Sequence, residues 1–187
     1  MKDTIIIVEG PQGTGKTTVT NFLREEMSAT DLYRLSGIKD RTITGKEKIK
    51  VKYEKLMDYI ENCKDINMVF DRIFFTNEVY ARLGYQDYSF TDIYEKLLKR
   101  LDNIDAEIYL VILYLGNESE FEVRLKRNKH EYQKFEAESS IIQQREYLKL
   151  ADEVEKNTKN IKVIRFNTDS SQNFEENLKK HFGHLFN

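Results

Sequence analysis

Apolar and polar positions alternate along the chain in two different patterns, short apolar runs and apolar residues at helical spacing. Short apolar runs, many of them β-branched, predict strands at 4–8, 31–35, 67–71, 107–115 and 161–166. Apolar residues spaced three or four apart predict helices at 16–28, 46–62, 73–83, 90–102, 118–128, 138–157 and 172–182. Because strands and helices alternate, we expect parallel strands joined by right-handed crossovers.

This alternation predicts a single α/β domain over residues 1–187, and the length suffices to bury a substantial core. Short apolar strands are typical of a parallel sheet covered by helices on both faces, here with about five strands. Ligands of such sheets bind beyond the carboxyl ends of the strands. We therefore expect one edge of the sheet to gather residues 9–17, 36–41, 71–72, 116 and 167–169.

Net charge, cysteine content and the absence of a visible targeting segment indicate which partners and which cellular compartment to expect. The net charge of −2 gives no global basic signal, so no nucleic acid polymer and no membrane surface is expected as a partner. Cys63 is the only cysteine, which excludes an intrachain disulfide. No signal peptide or membrane span is visible, and we expect a cytoplasmic protein.

The segment 9–18, Glu-Gly-Pro-Gln-Gly-Thr-Gly-Lys-Thr-Thr, contains the complete pattern of a phosphate-binding loop. It lies between a predicted buried strand and a predicted helix, where backbone N–H groups can surround an anion at the positive end of the helix dipole. The alternative is a chance glycine-rich turn. The pattern predicts ATP phosphate binding by Gly10, Pro11, Gln12, Gly13, Thr14, Gly15, Lys16, Thr17 and Thr18.

Two residues of this loop have predicted roles in the chemistry. Lys16 can reach the β- and γ-phosphates and is a candidate catalytic residue, and the hydroxyl of Thr17 can hold Mg²⁺. A second metal ligand is Asp71, which ends a predicted strand and is followed by Arg72. The guanidinium of Arg72 can bind a phosphate or a carboxylate through two hydrogen bonds. The alternative is an aspartate that caps a helix, followed by a solvent-facing arginine.

A basic stretch at 124–136 lies between two predicted helices and contains Arg124 and Arg127. Such a segment, about 124–137, could fold over a triphosphate as a lid, because phosphoryl transfer requires positive charge and the exclusion of water. The alternative is the solvated end of a helix whose basic residues complement the helix dipole.

Together these motifs resemble the thymidylate kinases, within the wider group of P-loop nucleoside-monophosphate and deoxynucleoside kinases. The matching features occur in the family's order: Glu9-Gly10 and Gly15-Lys16-Thr17; Asp71, Arg72, Thr76 and Tyr80; Arg124 and Arg127; Lys134-Phe135-Glu136; and Tyr147-Leu148-Lys149-Leu150-Ala151. The resemblance implies a three-layer P-loop NTPase fold with a lid segment. It also implies ATP with Mg²⁺ as the donor, and family members are often dimers, so it allows a homodimer.

The chain departs from this family mainly on the acceptor side. Gln12 replaces an aspartate that contacts the acceptor's sugar, Ala81 replaces a glutamine, and residues 35–38 replace a Glu-Pro-Gly-Gly stretch. The missing glutamate is the usual base of the deoxynucleoside kinases, whereas a phosphate acceptor needs no strong base. Because the phosphate loop has no arginine, the resemblance assigns the catalytic arginines to Arg124 and Arg127.

The resemblance thus implies a kinase that transfers the γ-phosphoryl group of ATP to a thymidylate-like deoxynucleoside monophosphate. The acceptor would be bound by Gln12, Arg72, Thr76 and Tyr80. Two alternatives stay open, a deoxynucleoside kinase and a non-catalytic P-loop nucleotide-binding protein. The presence of Lys16, Thr17 and Asp71 speaks against the second.

Overall fold

The computed structural model of the protein describes residues 2–127 and 136–187, and a sheet organises them. Its five strands are β1 (Thr4–Glu9), β2 (Thr30–Arg34), β3 (Asn67–Asp71), β4 (Glu107–Tyr114) and β5 (Ile161–Asn167). The helices are α1 (Lys16–Glu26), α2 (Ile43–Asn62), α3 (Phe74–Arg82), α4 (Thr91–Asp102), α5 (Glu120–Arg127), α6 (Ala137–Asn157) and α7 (Phe174–Phe182). A short 3₁₀ helix, Gly183–Leu185, follows α7.

All strand pairs are parallel, and the spatial order is β2-β3-β1-β4-β5. Strand β1 is central and fully buried. Its alternate residues point to opposite faces, because side chains along a strand have a period of two. Ile5 and Ile7 pack in a core cluster with α2, α3, α4 and α6, whereas Ile6 and Val8 pack with α1 and α7. The predicted three-layer α/β architecture, with helices on both faces of a parallel five-stranded sheet, is therefore confirmed.

The predicted elements all occur, with shifts of a few residues at their ends. The largest shift at a helix start is in α2, which begins at Ile43 rather than 46. Ahead of it, Asp40 accepts hydrogen bonds from the backbone N–H and the hydroxyl of Thr42, at 3.0 and 2.6 Å. At Gly45 a Cβ would lie 1.9 Å from the carbonyl oxygen of Asp40. This glycine allows the preceding loop to fold tightly onto the first turn of the helix.

Most of the predicted lid lies outside the described residues, including Lys129, His130, Lys134 and Phe135. Its first residues, Arg124 and Arg127, belong to the end of α5. Within the two described ranges, no helix has the length and apolar character needed to cross a membrane.

Candidate functional site

The loop after β1 takes a shape that depends on glycine. Gly10, Gly13 and Gly15 have φ angles of 144°, 92° and 88°, in the region that residues with a Cβ rarely adopt. At Gly10 a Cβ would also lie 2.7 Å from the carbonyl oxygen of Leu113 in β4. Gly15 caps the N-terminus of α1. The glycines therefore permit both the loop conformation and its close packing on the sheet.

Lys16 bends back over this loop. Its Nζ donates a hydrogen bond to the carbonyl oxygen of Pro11 at 2.8 Å, and the residue is only 7% exposed. The hydroxyl of Thr14 donates to the same oxygen, also at 2.8 Å. Burial, reinforced by repulsion from Arg72, holds the pKa of the Lys16 ammonium well below its usual value. An anion bound in the loop would offset both effects and favour the charged form.

Helix α5 and the loop after β5 hold the outer side of the phosphate loop. Arg124 donates hydrogen bonds to the carbonyl oxygen of Gly13 at 3.2 Å, to the Glu120 carboxylate at 2.8 Å, and to the carbonyl oxygen of Thr168. The hydroxyl of Thr168 donates to the carbonyl oxygen of Thr14 at 2.7 Å. Arg124 thus joins three segments of the site, whereas Arg127 is exposed at the end of α5.

The two candidate metal ligands lie at the start of α1 and the end of β3. Thr17 is exposed, and Asp71 pairs in the sheet with Val8, next to the start of the loop. The guanidinium of Arg34, at the end of β2, donates to Asp71 Oδ2 at 3.2 Å. It also donates to the side-chain oxygens of Thr20 and Asn21 in α1. Arg34 was not predicted as a site residue, and its only sequence signal was a charge at the end of a strand.

Arg72 is half-buried between the end of β3 and the start of α3, and its backbone has an unusual conformation. Its φ angle is 68°, and its N–H donates to the carbonyl oxygen of Val8 at 3.1 Å. Its Nε is buried without a hydrogen-bond partner in the part of the chain that is described. Helix α3 is capped by Ile73, without a side-chain hydrogen bond. The capping alternative for Asp71 and the solvent-facing alternative for Arg72 are therefore wrong.

A buried carboxylate supports this turn. Glu9 Oε1 accepts a hydrogen bond from the N–H of Ile73 at 2.7 Å, and Oε2 accepts one from the hydroxyl of Thr76 at 2.5 Å. The hydroxyls of Thr76 and Tyr147 are 2.9 Å apart. Burial raises the pKa of Glu9 from 4.5 to about 7, although its hydrogen bonds and the charges of Arg72 and Lys16 act in the opposite direction. The protonated and charged forms are therefore both accessible near neutral pH.

A cavity of about 610 Å³ opens beside the phosphate loop, between β2, α2 and α3. Its lining includes all four predicted acceptor-binding residues, Gln12, Arg72, Thr76 and Tyr80. The remaining lining residues are Leu35, Ser36, Gly37, Ile38, Lys39, Arg41, Ile49, Lys52, Tyr53, Ile73, Asn77, Tyr85 and Gln86. Four of the lining side chains are cationic, and none of the described lining residues is acidic.

Several of these residues were not predicted as site residues. Tyr53 lies on the apolar side of α2, where an aromatic residue is expected in the core. Lys52 donates a hydrogen bond to the carbonyl oxygen of Ser36, and burial lowers the pKa of its ammonium. The Oε1 atom of Gln86 is buried and has no hydrogen-bond partner within the described ranges. Only the folding of α2 and of the loop after α3 around one space brings these residues together.

Comparisons with solved structures identify kinases of similar fold. A thymidylate kinase from Candida albicans has a TM-score of 0.60 at 11% identity, covering 98% of this chain and 91% of that one. A deoxyadenosine kinase from M. mycoides with bound dATP has a TM-score of 0.65 at 11% identity, covering 97% and 98%. The same enzyme with the products dCMP and a flexible dCDP gives 0.63 at 13%, with the same coverage. A search of curated protein sequences found no match.

At these identities the structural likeness shows the fold, which is that of P-loop nucleotide kinases. A family model gives an independent result at the level of sequence. It is described as the ATPase family associated with various cellular activities (AAA), and it matches residues 6–185. Since this match covers nearly the whole chain and includes the phosphate loop, the protein belongs to the ATPase family associated with various cellular activities.

Proposed function

We propose that this protein is a nucleotide kinase that transfers the γ-phosphoryl group of ATP to a deoxynucleoside monophosphate. The observation that carries the proposal is the charge of the cavity beside the phosphate loop. Lys39, Arg41, Lys52 and Arg72 line this cavity, and no carboxylate lines it among the described residues. A cavity lined by positive charges fits an acceptor that already carries negative charge.

The donor site consists of the phosphate loop and the residues that hold it. The Lys16 ammonium and backbone N–H groups of the phosphate loop, to which Pro11 contributes none, would bind the phosphates of ATP. Arg124 would keep α5 and the loop after β5 against the phosphate loop through its bonds to Gly13 and Thr168. We assign Arg124 and Arg127 to the positive charge that the transferring phosphoryl group requires.

The donor set at the ends of β3 and α1 fits Mg²⁺, because a carboxylate and a hydroxyl supply the oxygen ligands that this hard cation prefers. Asp71 and Thr17 would hold it, and Asp71 Oδ1 has no hydrogen bond in the described structure that would compete. A Mg²⁺ ion held by these two residues would supply positive charge against the charge that develops on the transferred phosphoryl group. Arg34 would orient Asp71 from the side of β2.

The acceptor site favours a phosphate over a hydroxyl. Arg72 can bind phosphate oxygens through two parallel hydrogen bonds, and its buried Nε lacks a partner in the described structure. A nucleoside hydroxyl would need a base close to it. The end of β2 supplies none, because Leu35 follows Arg34 there, and Glu9 is fully buried beneath the cavity.

The rest of the cavity suits a nucleoside in size and chemistry. Its volume of about 610 Å³ lies within the usual range for small-molecule sites. Tyr53 and Tyr80 supply aromatic surface, and Gln12 and Gln86 supply amides for hydrogen bonds to a sugar or a base. Thr76 also lines the cavity, although its hydroxyl is bound to Glu9.

A deoxynucleoside kinase is the second candidate. It is favoured by the likeness to the deoxyadenosine kinase, which covers 97% of this chain with a TM-score of 0.65. The two candidates differ in one measurable property, the preference for a phosphorylated acceptor.

The test is steady-state kinetics with ATP and four matched pairs of deoxynucleoside and 5′-monophosphate. For the accepted base, we expect the monophosphate to exceed the nucleoside by about 10²-fold or more in kcat/KM, because the nucleoside leaves the Arg72 guanidinium without its charged partner. Preference for the nucleoside would establish the deoxynucleoside kinase instead. ATP binding without turnover of any acceptor would favour a non-catalytic nucleotide-binding protein.

A further inference from the structure

The turn between β3 and α3 needs external support. Arg72 has a φ angle of 68°, which is unfavourable for a residue with a Cβ and persists only where surrounding contacts hold it. The end of β1 supplies two of these contacts. The N–H of Arg72 donates to the carbonyl oxygen of Val8 at 3.1 Å, and the N–H of Ile73 donates to Glu9 Oε1 at 2.7 Å.

Both oxygens of Glu9 serve this turn and the helix that follows it. Oε2 accepts the hydroxyl of Thr76, in the first turn of α3, at 2.5 Å. Tyr147 of α6 lies 2.9 Å from the same hydroxyl. Glu9 has no exposed surface and is not part of the cavity wall, so water does not compete for these bonds. The carboxylate therefore acts on Arg72 through the backbone rather than on a ligand.

Glu9 also directly precedes Gly10, the first glycine of the phosphate loop. We propose that Glu9 is a positioning residue, whose side chain fixes the turn containing Arg72 relative to the phosphate loop and so sets the distance between acceptor and donor. This inference rests on the proposed function, in which Arg72 binds the acceptor phosphate.

The support does not depend on the charge of Glu9. A protonated carboxyl can still accept from Ile73 and can donate to the hydroxyl of Thr76. Among the described residues, the charged and titratable groups facing Glu9 are Lys16, Tyr53, Arg72, Tyr80, Tyr94 and Tyr147. These groups come from α1, α2, α3, α4, α6 and the turn itself. Glutamine has the same shape as glutamate but no charge, so Glu9→Gln should preserve the geometry of the turn.

A double-mutant cycle tests the coupling. Glu9→Ala should raise the KM of the accepted nucleotide by about 10-fold or more while changing the KM of ATP by less than about 2-fold, because only the acceptor ligand is displaced. Glu9→Ala combined with Arg72→Ala should be no more than about 2-fold worse than Arg72→Ala alone, because both changes remove the same interaction. Additive losses would overturn the proposal.

Two further variants separate positioning from general destabilisation. Glu9→Gln should restore the acceptor KM to within about 3-fold of the parent, because the amide can make both hydrogen bonds. Leu97→Ala removes a buried side chain of α4 that does not line the cavity. Leu97→Ala should lower thermal stability without raising the acceptor KM. If Leu97→Ala and Glu9→Ala raise the acceptor KM equally, Glu9 has only a structural role. If Glu9→Ala does not fold, Glu9→Asp takes its place, since its shorter side chain cannot span both donors.

A second readout does not depend on activity. Amide hydrogen exchange at Ile73 in the substrate-free protein should be about 10-fold or more faster in Glu9→Ala than in the parent, because that N–H loses the acceptor that the Glu9 side chain provides. Exchange at Leu110 in β4 should change much less, and Glu9→Gln should match the parent. Unchanged exchange at Ile73 would overturn the role of Glu9. A preference of the parent for nucleosides would overturn the proposed function, whereas the exchange rate at Ile73 would still decide whether Glu9 holds the turn.

Discussion

The two halves of the site satisfy their polar groups in different ways. On the donor side, the phosphate loop, α5 and the loop after β5 bond to one another: Lys16 and Thr14 to Pro11, Arg124 to Gly13, and Thr168 to Thr14. On the acceptor side, Arg72 Nε and Gln86 Oε1 are buried without partners in the described parts of the chain. Buried polar atoms of this kind are costly unless they gain a hydrogen bond.

This difference indicates where specificity lies. The donor site is built mainly from backbone groups in a shape imposed by glycines, so it suits the phosphates that many nucleotides share. The proposed acceptor cavity is built from side chains of α2, α3 and the loops beside them. Its buried atoms Arg72 Nε and Gln86 Oε1 can form hydrogen bonds with a ligand. Under the proposed function, a matching acceptor would gain affinity in two ways, because it would fill the cavity and form hydrogen bonds with buried atoms.

The largest expected effect comes from removing Lys16, whose charged side chain lies over the phosphate loop on the donor side. Lys16→Ala should lower turnover by about 10²-fold or more, because it removes a preorganised charge from the transferring phosphoryl group. The acceptor should still bind, as measured by calorimetry with the nucleoside monophosphate. Lys55→Ala, at an exposed position of α2, is the matched control. Full turnover by the Lys16→Ala variant would contradict the assignment of the phosphate loop as the ATP-binding site.

Arg124→Ala should have the next largest effect. We expect turnover to fall about 10-fold or more, with a smaller change in ATP affinity, because charge on the moving group matters most in the transition state. Arg127→Ala should change turnover in the same direction. Arg145→Ala, at an exposed position of α6, is the control, since its guanidinium contacts Glu118 alone among the described residues. A loss of ATP affinity with the maximal rate intact would limit Arg124 to holding the donor loop.

A smaller effect is expected at Asp71, which lies between the two halves. Asp71→Asn should raise the Mg²⁺ concentration for half-maximal activity by about 5-fold, because a neutral amide is a weaker ligand for a hard cation. The readout is a Mg²⁺ titration at saturating ATP, with Asp31→Asn in β2 as the exposed control. An unchanged titration would leave Asp71 only its ion pair with Arg34.

The last prediction concerns the stability of the folded protein rather than its activity, and it involves Glu9. Burial raises the pKa of this carboxyl from 4.5 to about 7, so the folded state binds a proton that the unfolded state releases between these values. The free energy of unfolding of the parent, relative to Glu9→Gln, should therefore fall as pH rises from about 4.5 to about 7, by a total on the order of 3 kcal/mol. Urea unfolding of both proteins across this range measures it. A difference that does not vary with pH would contradict the raised pKa.

Local patterns in the sequence determined the strands and helices and the phosphate loop. The apolar run of β1, the glycines after it and the periodicity of α1 all lie within about 25 residues. Such short-range signals reflect backbone conformation and the burial of one face, and both act on neighbouring positions. The sequence also indicated Asp71 and Arg72, because charged residues that end a buried strand must lie at the edge of the sheet.

The tertiary structure alone decided the environment of these residues. Glu9 meets Ile73 and Thr76 across 64 and 67 positions of sequence, and Arg34 meets Asp71 across 37. No periodicity predicts the left-handed conformation of Arg72 or the cavity formed by α2 and α3, because both arise from packing of distant segments. The sequence by itself thus predicted a phosphate-binding loop and its position, whereas burial and long-range hydrogen bonds decided how the proposed acceptor side is charged, shaped and held.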